Sequence, residues 1–324
     1  MRQLSHYAPH EWLRGVPLAH RLRRARNVMV DRIYRRRRAP GQAELVRQLT
    51  GHDGALAFTV AFNMPEAIEL LLAAMARFVP DTPLVVCDNS SDPEARRRNA
   101  AICAAHAGAP AVFYCDMPPV PIKGGRNGSR SHAVALNWIF HNLIRPAAPR
   151  VFALLDHDLL PLQRMDLASR VEDVSCYGMV REAEGAWYLW PGYSVFNFSA
   201  VGHLPLDFGT DTPLGLDTGG QNWSVLYNRL DRAACTAPMK PMYVVDPRDG
   251  SQDHHLLVDG WLHAGGAGHG GAGAFAAVRR AYEADPEGLL AALVPIPPPR
   301  GKGRKREDEQ DGRHEGGEVK PAAG

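Results

Sequence analysis

Short apolar runs alternate with longer amphipathic segments from residue 55 to about residue 160. The runs that predict strands buried on both faces cover residues 55–62, 84–87, 111–115 and 151–155. Between them apolar residues recur three and four positions apart, as at Ile68, Leu71 and Met75, which predicts helices. Strands that alternate with helices at this spacing predict an α/β fold, with one mostly parallel, Rossmann-like sheet flanked by helices.

Helix-start signals support this pattern. Asn63 is predicted to cap the helix after the first strand, with Pro65 in its first turn and Glu66 three residues after the cap. Asp92 and Pro93 predict a second helix start in the same way.

The pattern becomes less regular after residue 161. Strands are predicted over 175–182, 186–201 and 242–246, a helix over 221–230, and His263 at the end of a further strand. The stretch from Gly265 to Gly273 contains six glycines and is interpreted as a mobile lid or a plain linker. No internal repeat is visible.

Composition and charge divide the chain into three regions. Residues 1–50 are predicted to form a basic, helical N-terminal arm, residues 51–294 the main domain, and residues 295–324 a disordered tail. Between Arg21 and Arg38 lie nine arginines and one acid, Asp31, whereas the remaining chain carries 28 basic and 34 acidic residues. The arm is therefore expected to lie on an anionic membrane surface, to be solvated, or to pack on its own domain, with nucleic acid a weaker expectation.

Cysteine use and hydropathy bear on location. The five cysteines are scattered and odd in number, which argues against a disulfide framework and favours a reducing compartment. No apolar run is long enough to span a bilayer. We therefore expect a cytoplasmic protein, with peripheral contact at the inner membrane face through residues 21–38.

The strongest chemical signal is Asp156-His157-Asp158, directly after the apolar strand 151–155. Two carboxylates two residues apart on extended chain point the same way, and they need a cation or donors to offset desolvation. A hard divalent metal such as Mg²⁺ or Mn²⁺ meets that need, although an isolated Asp-x-Asp is more often a surface turn. Asn63, Asp88 and an arginine-containing loop are predicted at the same carboxyl edge of the sheet, where ligands bind in such folds.

These segments together resemble the GT-A fold glycosyltransferases, in particular the inverting, Asp-x-Asp-containing group similar to family 2. The motifs that carry the resemblance are FTVAFNMPEAIELLLAAM, VVCDNSSDPEARRRN, SRSHAVALNWIF, FALLDHDLLP and WLHAGG. It covers about residues 55–270. It implies a GT-A catalytic domain with a smaller mixed sheet on the acceptor side. The implied ligands are a nucleotide-diphosphate sugar, Mn²⁺ or Mg²⁺, and a glycan or lipid-linked hydroxyl acceptor.

The resemblance also implies roles for individual residues. Asp158 and His263 would bind the metal, and Asp156 the metal or the donor ribose, with His254 and His255 as rival ligands. The other predicted donor contacts are Asn63, Asp88, Arg126 and Arg130. Asp88 could instead be a turn or helix-capping aspartate. Arg126 and Arg130 could instead lie in a merely solvated loop.

An inverting transfer also needs a general base for the acceptor hydroxyl. Asp217, ahead of a predicted helix, is the candidate, with Asp207 and Asp211 in reserve. The family often has two adjacent acids near this point, whereas this chain has Leu216-Asp217-Thr218, so inversion itself is open. Acceptor stacking is predicted from the aromatic residues Trp190, Tyr193 and Trp223, together with Trp187, of which at most two are expected to be functional because strand aromatics are usually core.

Two other classes of function remain open. A sugar-phosphate nucleotidyltransferase would need a glycine-rich phosphate loop after the first strand, where this chain has Asn63-Met64-Pro65. A non-catalytic protein that binds nucleotide sugars or membranes would keep the donor side but lack a working base.

Overall fold

The structure is a computed structural model of the 324-residue chain. It describes residues 4–122, 128–183, 185–211, 214–237, 240–248, 255–265 and 272–297. Arg126, His254, most of the glycine-rich stretch after Gly265, and the chain after residue 297 lie outside the described residues.

The strands are short and fall where the apolar runs predict them in the first half of the chain. They are β1 (Ala55–Ala61), β2 (Leu84–Asp88), β3 (Val112–Asp116), β4 (Val151–Asp156), β5 (Leu159–Pro161), β6 (Cys176–Ala183), β7 (Ala186–Asn197), β8 (Met242–Val245), β9 (His255–Val258), β10 (Trp261–His263) and β11 (Val294–Ile296).

The helices are α1 (Pro9–Leu13), α2 (Val16–Tyr34), α3 (Gln42–Leu49), α4 (Pro65–Phe78), α5 (Pro93–Ala105), α6 (Gly128–Ile139), α7 (Arg145–Ala147), α8 (Phe198–Val201), α9 (Arg232–Cys235), α10 (Ala272–Ala284) and α11 (Leu289–Ala292). A single π-helical segment joins α6 to α7. No described helix is both long and apolar enough to cross a bilayer.

The main sheet has six strands in the order β3-β2-β1-β4-β7-β6. The first four are parallel, and β7 and β6 join antiparallel at one side. This confirms the predicted α/β class with a mostly parallel sheet. A second sheet, β11-β8-β9-β10-β5, is antiparallel throughout, so the mixed second sheet that was expected is corrected to an antiparallel one.

Both faces of the main sheet are buried, as the continuous apolar runs require. On β4, Ala153 and Leu155 belong to the core cluster that contains α4, while Phe152 and Leu154 belong to the cluster that contains α6. Phe152 stacks on Phe196 of β7 with ring centroids 4.9 Å apart. Such packing fixes the position of β4, and with it the residues at its carboxyl end.

The N-terminal arm contains helices α1–α3 and packs on the rest of the chain. Tyr34 is buried and donates a 2.5 Å hydrogen bond to the carbonyl of Pro118. Arg35 donates to His141 Nε2 at 2.6 Å. Burial and then Arg35 lower the pKa of His141 to about 4, so the ring is neutral near pH 7 and can accept this bond. Tyr34, Leu45 and Leu49 of this arm belong to the core, in agreement with the expectation that the arm packs on its own domain.

Several predicted boundaries differ from the structure. Asn63 has a positive φ of 49° and does not cap α4, whose N-cap is Met64. The predicted helix over 221–230 is replaced by two 3-10 turns, Gly220–Trp223 and Tyr227–Arg229. Asn222, in the first turn, accepts a hydrogen bond from the backbone N–H of Asp207.

Two further boundaries differ at strand ends. The strand predicted over 186–201 ends at Asn197, which caps α8 by accepting a bond from Ser199 N–H. At the C-terminal side, Pro295 and Ile296 lie in β11 and pair with β8, so regular structure continues past the predicted boundary at residue 295.

Candidate metal site and binding cleft

The Asp-His-Asp segment lies where the two sheets meet. β4 ends at Asp156, and after a two-residue turn β5 begins at Leu159 in the second sheet. In that sheet His263 of β10 pairs with Leu159, and Ala264 N–H donates to the carbonyl of Asp158 at 3.0 Å. This register places His263 beside the acidic pair although about a hundred residues separate them.

Asp156, Asp158 and His263 form one cluster. One ligand atom from each lies within 4.8 Å of the others, the only such group of three or more in the described part of the chain. His263 Nε2 is 3.3 Å from Asp158 Oδ1 and 3.7 Å from Asp156 Oδ2. Thus the predicted convergence of these three side chains is present in the structure.

The geometry of the cluster suits a small divalent cation. Adjacent ligands of an octahedral ion with bond lengths near 2.1 Å are separated by about 3.0 Å. The two distances from His263 to the carboxylates, 3.3 and 3.7 Å, lie slightly above this spacing. Two carboxylates and one imidazole match the preferences of Mn²⁺ and similar ions, and Mg²⁺ accepts the oxygens. The residues present therefore fit a divalent metal.

The protonation of His263 reflects the same cluster. Burial alone lowers the pKa of this ring, but Asp158 and then Asp156 outweigh burial, so the pKa lies above its ordinary value of 6.5. A cation in the same position would compete with this proton.

The cluster opens into a cleft with a volume of about 330 Å³, in the range of small-molecule sites. The cleft is lined by Val60, Phe62, Asn89, Gly128, Ser129, Ser131, His132, Asp156, His157, Asp158, Arg181, Trp190, Asp217, Thr218 and His263. It therefore combines the metal candidates with the predicted base, one predicted aromatic and an arginine.

Asp217 lies in the cleft wall and is held by neighbours. Its Oδ1 accepts a 2.8 Å bond from Thr218 N–H, and its Oδ2 accepts a 3.3 Å bond from the Ser129 hydroxyl. The reserve acids Asp207 and Asp211 instead line a separate cavity of about 50 Å³ beside α2. Their position removes them as alternatives to Asp217.

Of the predicted acceptor-binding aromatics, only Trp190 reaches the cleft. Its ring packs edge-on against His263, with centroids 4.8 Å apart. Gly192 makes this possible, because a Cβ there would lie 2.1 Å from the indole ring.

The other three aromatics have structural positions. Tyr193, predicted to contact an acceptor, is fully buried, donates a 2.5 Å bond to Asp259 and does not line the cleft. Trp223 packs against Trp187 with centroids 6.4 Å apart and does not line the cleft. All three aromatics, Tyr193, Trp223 and Trp187, therefore pack within the protein, as aromatic residues of strands and turns commonly do.

Asp88 and Asn63, predicted to bind the nucleotide-sugar donor, instead accept hydrogen bonds within the protein around the loop after β2. The Asp88 carboxylate is 0% exposed and accepts bonds from Ser90 N–H, Asn99 Nδ2 and Tyr114 OH at 2.8, 2.9 and 3.0 Å. Asn63 Oδ1 accepts from the backbone N–H groups of Ser91 and Asp92 at 2.8 and 3.0 Å. Neither side chain faces the cleft, whereas Asn89, next to Asp88, does line it.

The remaining predicted ligand-binding residues do not line the cleft in the described part of the chain. Arg130 pairs with Asp31 and donates a 3.0 Å bond to Asn27 O, so it joins α6 to the arm instead of binding a phosphate. Arg126 and His254 lie outside the described residues. His255 is buried, with Nδ1 3.3 Å from Ala264 O, which leaves His263 as the better ligand.

The structure adds cleft residues that the sequence reasoning missed. His132 Nε2 is 3.7 Å from Asp156 Oδ1, and Arg181 lies with its guanidinium carbon 6.0 Å from the Trp190 ring centroid. Ser129, Ser131 and His132 are in the segment singled out before the Asp pair, which was the available signal. No sequence signal pointed to Arg181, because an arginine in a strand near the edge of a sheet is common.

Comparisons with known proteins give little further guidance. No protein-family model matches the chain, and no curated protein sequence matches it. One similar solved structure is the mannosyltransferase PcManGT from Pyrobaculum calidifontis in complex with GDP-Man and Mn²⁺, at 16% identity and a TM-score of 0.35. The match covers 57% of this chain and 58% of that protein, and at this TM-score it carries no argument about activity.

Proposed function

We propose that this chain is a metal-dependent glycosyltransferase that moves a sugar from a nucleotide-diphosphate sugar to a hydroxyl acceptor. The observation that carries the proposal is the convergence of Asp156, Asp158 and His263 at the mouth of a cleft that also holds Asp217 and Arg181. The motif resemblance to the GT-A group similar to family 2 points the same way.

The donor diphosphate would lie against the metal cluster. Asp156, Asp158 and His263 would hold Mn²⁺ or Mg²⁺, and the bound ion supplies neutralisation of charge on the leaving diphosphate. Arg181 would add a second positive charge from β6, and its planar fork suits phosphate oxygens. Trp190 would present an aromatic face to the sugar or the acceptor while it holds His263 in place.

Asp217 would act on the acceptor. Its carboxylate takes the proton from the acceptor hydroxyl as the oxygen attacks the anomeric carbon. The bond from that carbon to the diphosphate breaks, and the diphosphate leaves with the electron pair. Bonds from Ser129 and Thr218 hold the carboxylate for this step. One such displacement inverts the anomeric centre.

A thermal-shift panel of nucleoside diphosphates with and without Mn²⁺ tests the binding part of the proposal. A ligand at 100 times its dissociation constant stabilises the native state by about 2.7 kcal/mol. We expect one nucleotide to stabilise the chain strongly, and only when Mn²⁺ or Mg²⁺ is present. Equal stabilisation with and without metal would contradict the assigned cluster.

The variant Asp217→Asn separates an enzyme from a binding protein. We expect metal and nucleotide binding to survive while transfer falls about 10²–10⁴-fold, the usual contribution of a general base. Asp81→Asn, at an exposed acid remote from the cleft wall, is the matched control. Unchanged transfer in Asp217→Asn would remove Asp217 from the mechanism.

A further inference from the structure

The outer face of α2 carries an apolar stripe that the structure leaves uncovered. Leu18, Leu22, Met29 and Ile33 are each between 55% and 63% exposed. With 3.6 residues per turn, the four side chains lie within about 60° of one another around the helix axis. Trp12 and Leu13 of the preceding α1 are also exposed. Apolar side chains gathered on one exposed face commonly mark an interaction surface.

Arginines border this stripe. By the same helical spacing, Arg21 and Arg32 lie to one side of it and Arg26 to the other. All three are exposed, and none pairs with a carboxylate of any residue that the structure describes. The only acid of α2, Asp31, is buried and pairs with Arg130. The exposed face of α2 is therefore apolar along its centre and positively charged at its edges.

The inner face of α2 is fastened to the domain. Arg130 of α6 contacts both the Asp31 carboxylate and the Asn27 carbonyl, and Tyr34 anchors the end of the helix. These contacts keep the stripe directed away from the domain, so no described part of the chain covers it.

We propose that α2 docks this chain on an anionic lipid bilayer. The apolar stripe would enter the boundary between headgroups and acyl chains, and the bordering arginines would contact lipid phosphates. A second copy of the chain fits less well, because two such stripes would bring arginines face to face. The proposal does not depend on the chemistry at the metal cluster.

The position of α2 adds a functional consequence. Arg130, its partner on α6, is flanked by Ser129, Ser131 and His132, which line the cleft. A docked α2 would therefore hold the cleft close to the bilayer surface, where a lipid-linked acceptor would be found. This last point rests on the proposed function, whereas the docking itself does not.

Flotation of the full chain with vesicles tests the docking. We expect binding to vesicles of 70% phosphatidylcholine and 30% phosphatidylglycerol, little binding to pure phosphatidylcholine, and weaker binding in 0.5 M salt because the charge attraction is screened. Absence of binding to the anionic vesicles would overturn the proposal, whatever the outcome of the nucleotide experiments.

Two variants separate the apolar and charged contributions. Leu22→Ser with Met29→Ser, and separately Arg21→Gln with Arg26→Gln and Arg32→Gln, should each weaken binding to anionic vesicles at least about tenfold. Their side chains are exposed, so the fold should persist, which circular dichroism and thermal melting would verify. The charge-matched control changes the exposed Arg97, Arg164 and Arg232 to glutamine. Equal loss in this control would show non-specific charge attraction and overturn the proposal.

Sedimentation velocity without lipid tests whether a second copy of the chain covers the apolar stripe of α2. We expect the native chain and the Leu22→Ser, Met29→Ser variant to sediment alike. A native dimer that this variant dissociates would assign the stripe to a second copy and overturn the membrane proposal.

Discussion

Two aspartates of similar burial, Asp158 and Asp259, have different surroundings. Their exposed fractions are 5% and 4%. Asp259 accepts bonds of 2.7 and 2.5 Å from the hydroxyls of Tyr177 and Tyr193, and Arg170 lies 3.7 Å away. Burial and the facing carboxylate raise the pKa of both tyrosines, so they stay protonated and donate. Asp259 is therefore the centre of a closed hydrogen-bonded network.

Asp158 instead lies beside a second carboxylate, Asp156, and a histidine, His263, in the lining of a cleft. His263 Nε2 lies 3.3 Å from Asp158 Oδ1, which is longer than either tyrosine contact of Asp259. Burial of two like charges side by side is unfavourable unless a cation joins them. Burial alone therefore does not distinguish a structural acid from a candidate ligand. What distinguishes them is the kind of neighbour: tyrosine hydroxyls and an arginine surround Asp259, whereas a second carboxylate and a histidine lie beside Asp158 at the cleft.

The largest expected effect is at the cluster. Asp158→Asn removes one charged ligand, and we expect metal-dependent stabilisation by nucleotide to disappear and transfer to fall at least about 10²-fold, since a Lewis acid contributes several kcal/mol. The measurement is thermal shift and transfer rate with Mn²⁺. Retention of metal-dependent binding would show that Asp158 is, like Asp259, only structural.

The next effect is at the closed network. Asp259→Asn should lower the free energy of unfolding by about 1.5–3 kcal/mol, because bonds to a charged acceptor are weakened and Arg170 loses its counter-charge. Urea denaturation measures this change. The variant should still bind Mn²⁺ and nucleotide at a temperature where it is folded. Loss of that binding would remove the contrast between the two aspartates.

A smaller effect is expected at Arg181. Arg181→Gln should weaken nucleoside diphosphate affinity about tenfold, because a charge-assisted bond to phosphate is lost, while Mn²⁺ affinity measured alone does not fall. Titration calorimetry with and without nucleotide distinguishes the two. Arg229→Gln, outside the cleft lining, is the control. An unchanged nucleotide affinity in Arg181→Gln would place the diphosphate elsewhere.

The smallest effect concerns pH in the metal-free chain. The folded-state pKa of His263 is raised above 6.5, so its protonated form stabilises the fold below pH 6.5, and this contribution is lost as pH rises through the raised pKa. The difference in unfolding free energy between the native chain and His263→Asn should shrink across that window. A difference that grows with pH would contradict the charge interaction with Asp158 and Asp156.

The sequence predicts best where one physical cause dominates. Strand β4 is predicted well because its five apolar residues can be satisfied only by burial on both faces. The convergence of Asp156, Asp158 and His263 came from the resemblance, since the pairing of β10 with β5 that produces it is a long-range contact with no local signal.

Some predicted site residues have other partners in the structure. Asp88, Arg130 and Tyr193 have the right chemistry for ligand binding, but each is hydrogen-bonded or paired within the protein, to Asn99, Asp31 and Asp259 respectively. Sequence shows the residue type and not the partner. Arg181 was missed for the converse reason, because only the register of β6 on β7 brings it beside Trp190.

The central claim is that a divalent cation binds between the acidic pair and His263. Crystals grown with Mn²⁺ and a nucleoside diphosphate, measured at a wavelength that gives manganese anomalous scattering, test it most directly. We predict one strong anomalous peak within about 2.0–2.4 Å of Asp158, His263 Nε2 and a diphosphate oxygen. A nucleotide bound in the cleft with no peak at these residues, or with the peak elsewhere, would contradict the account.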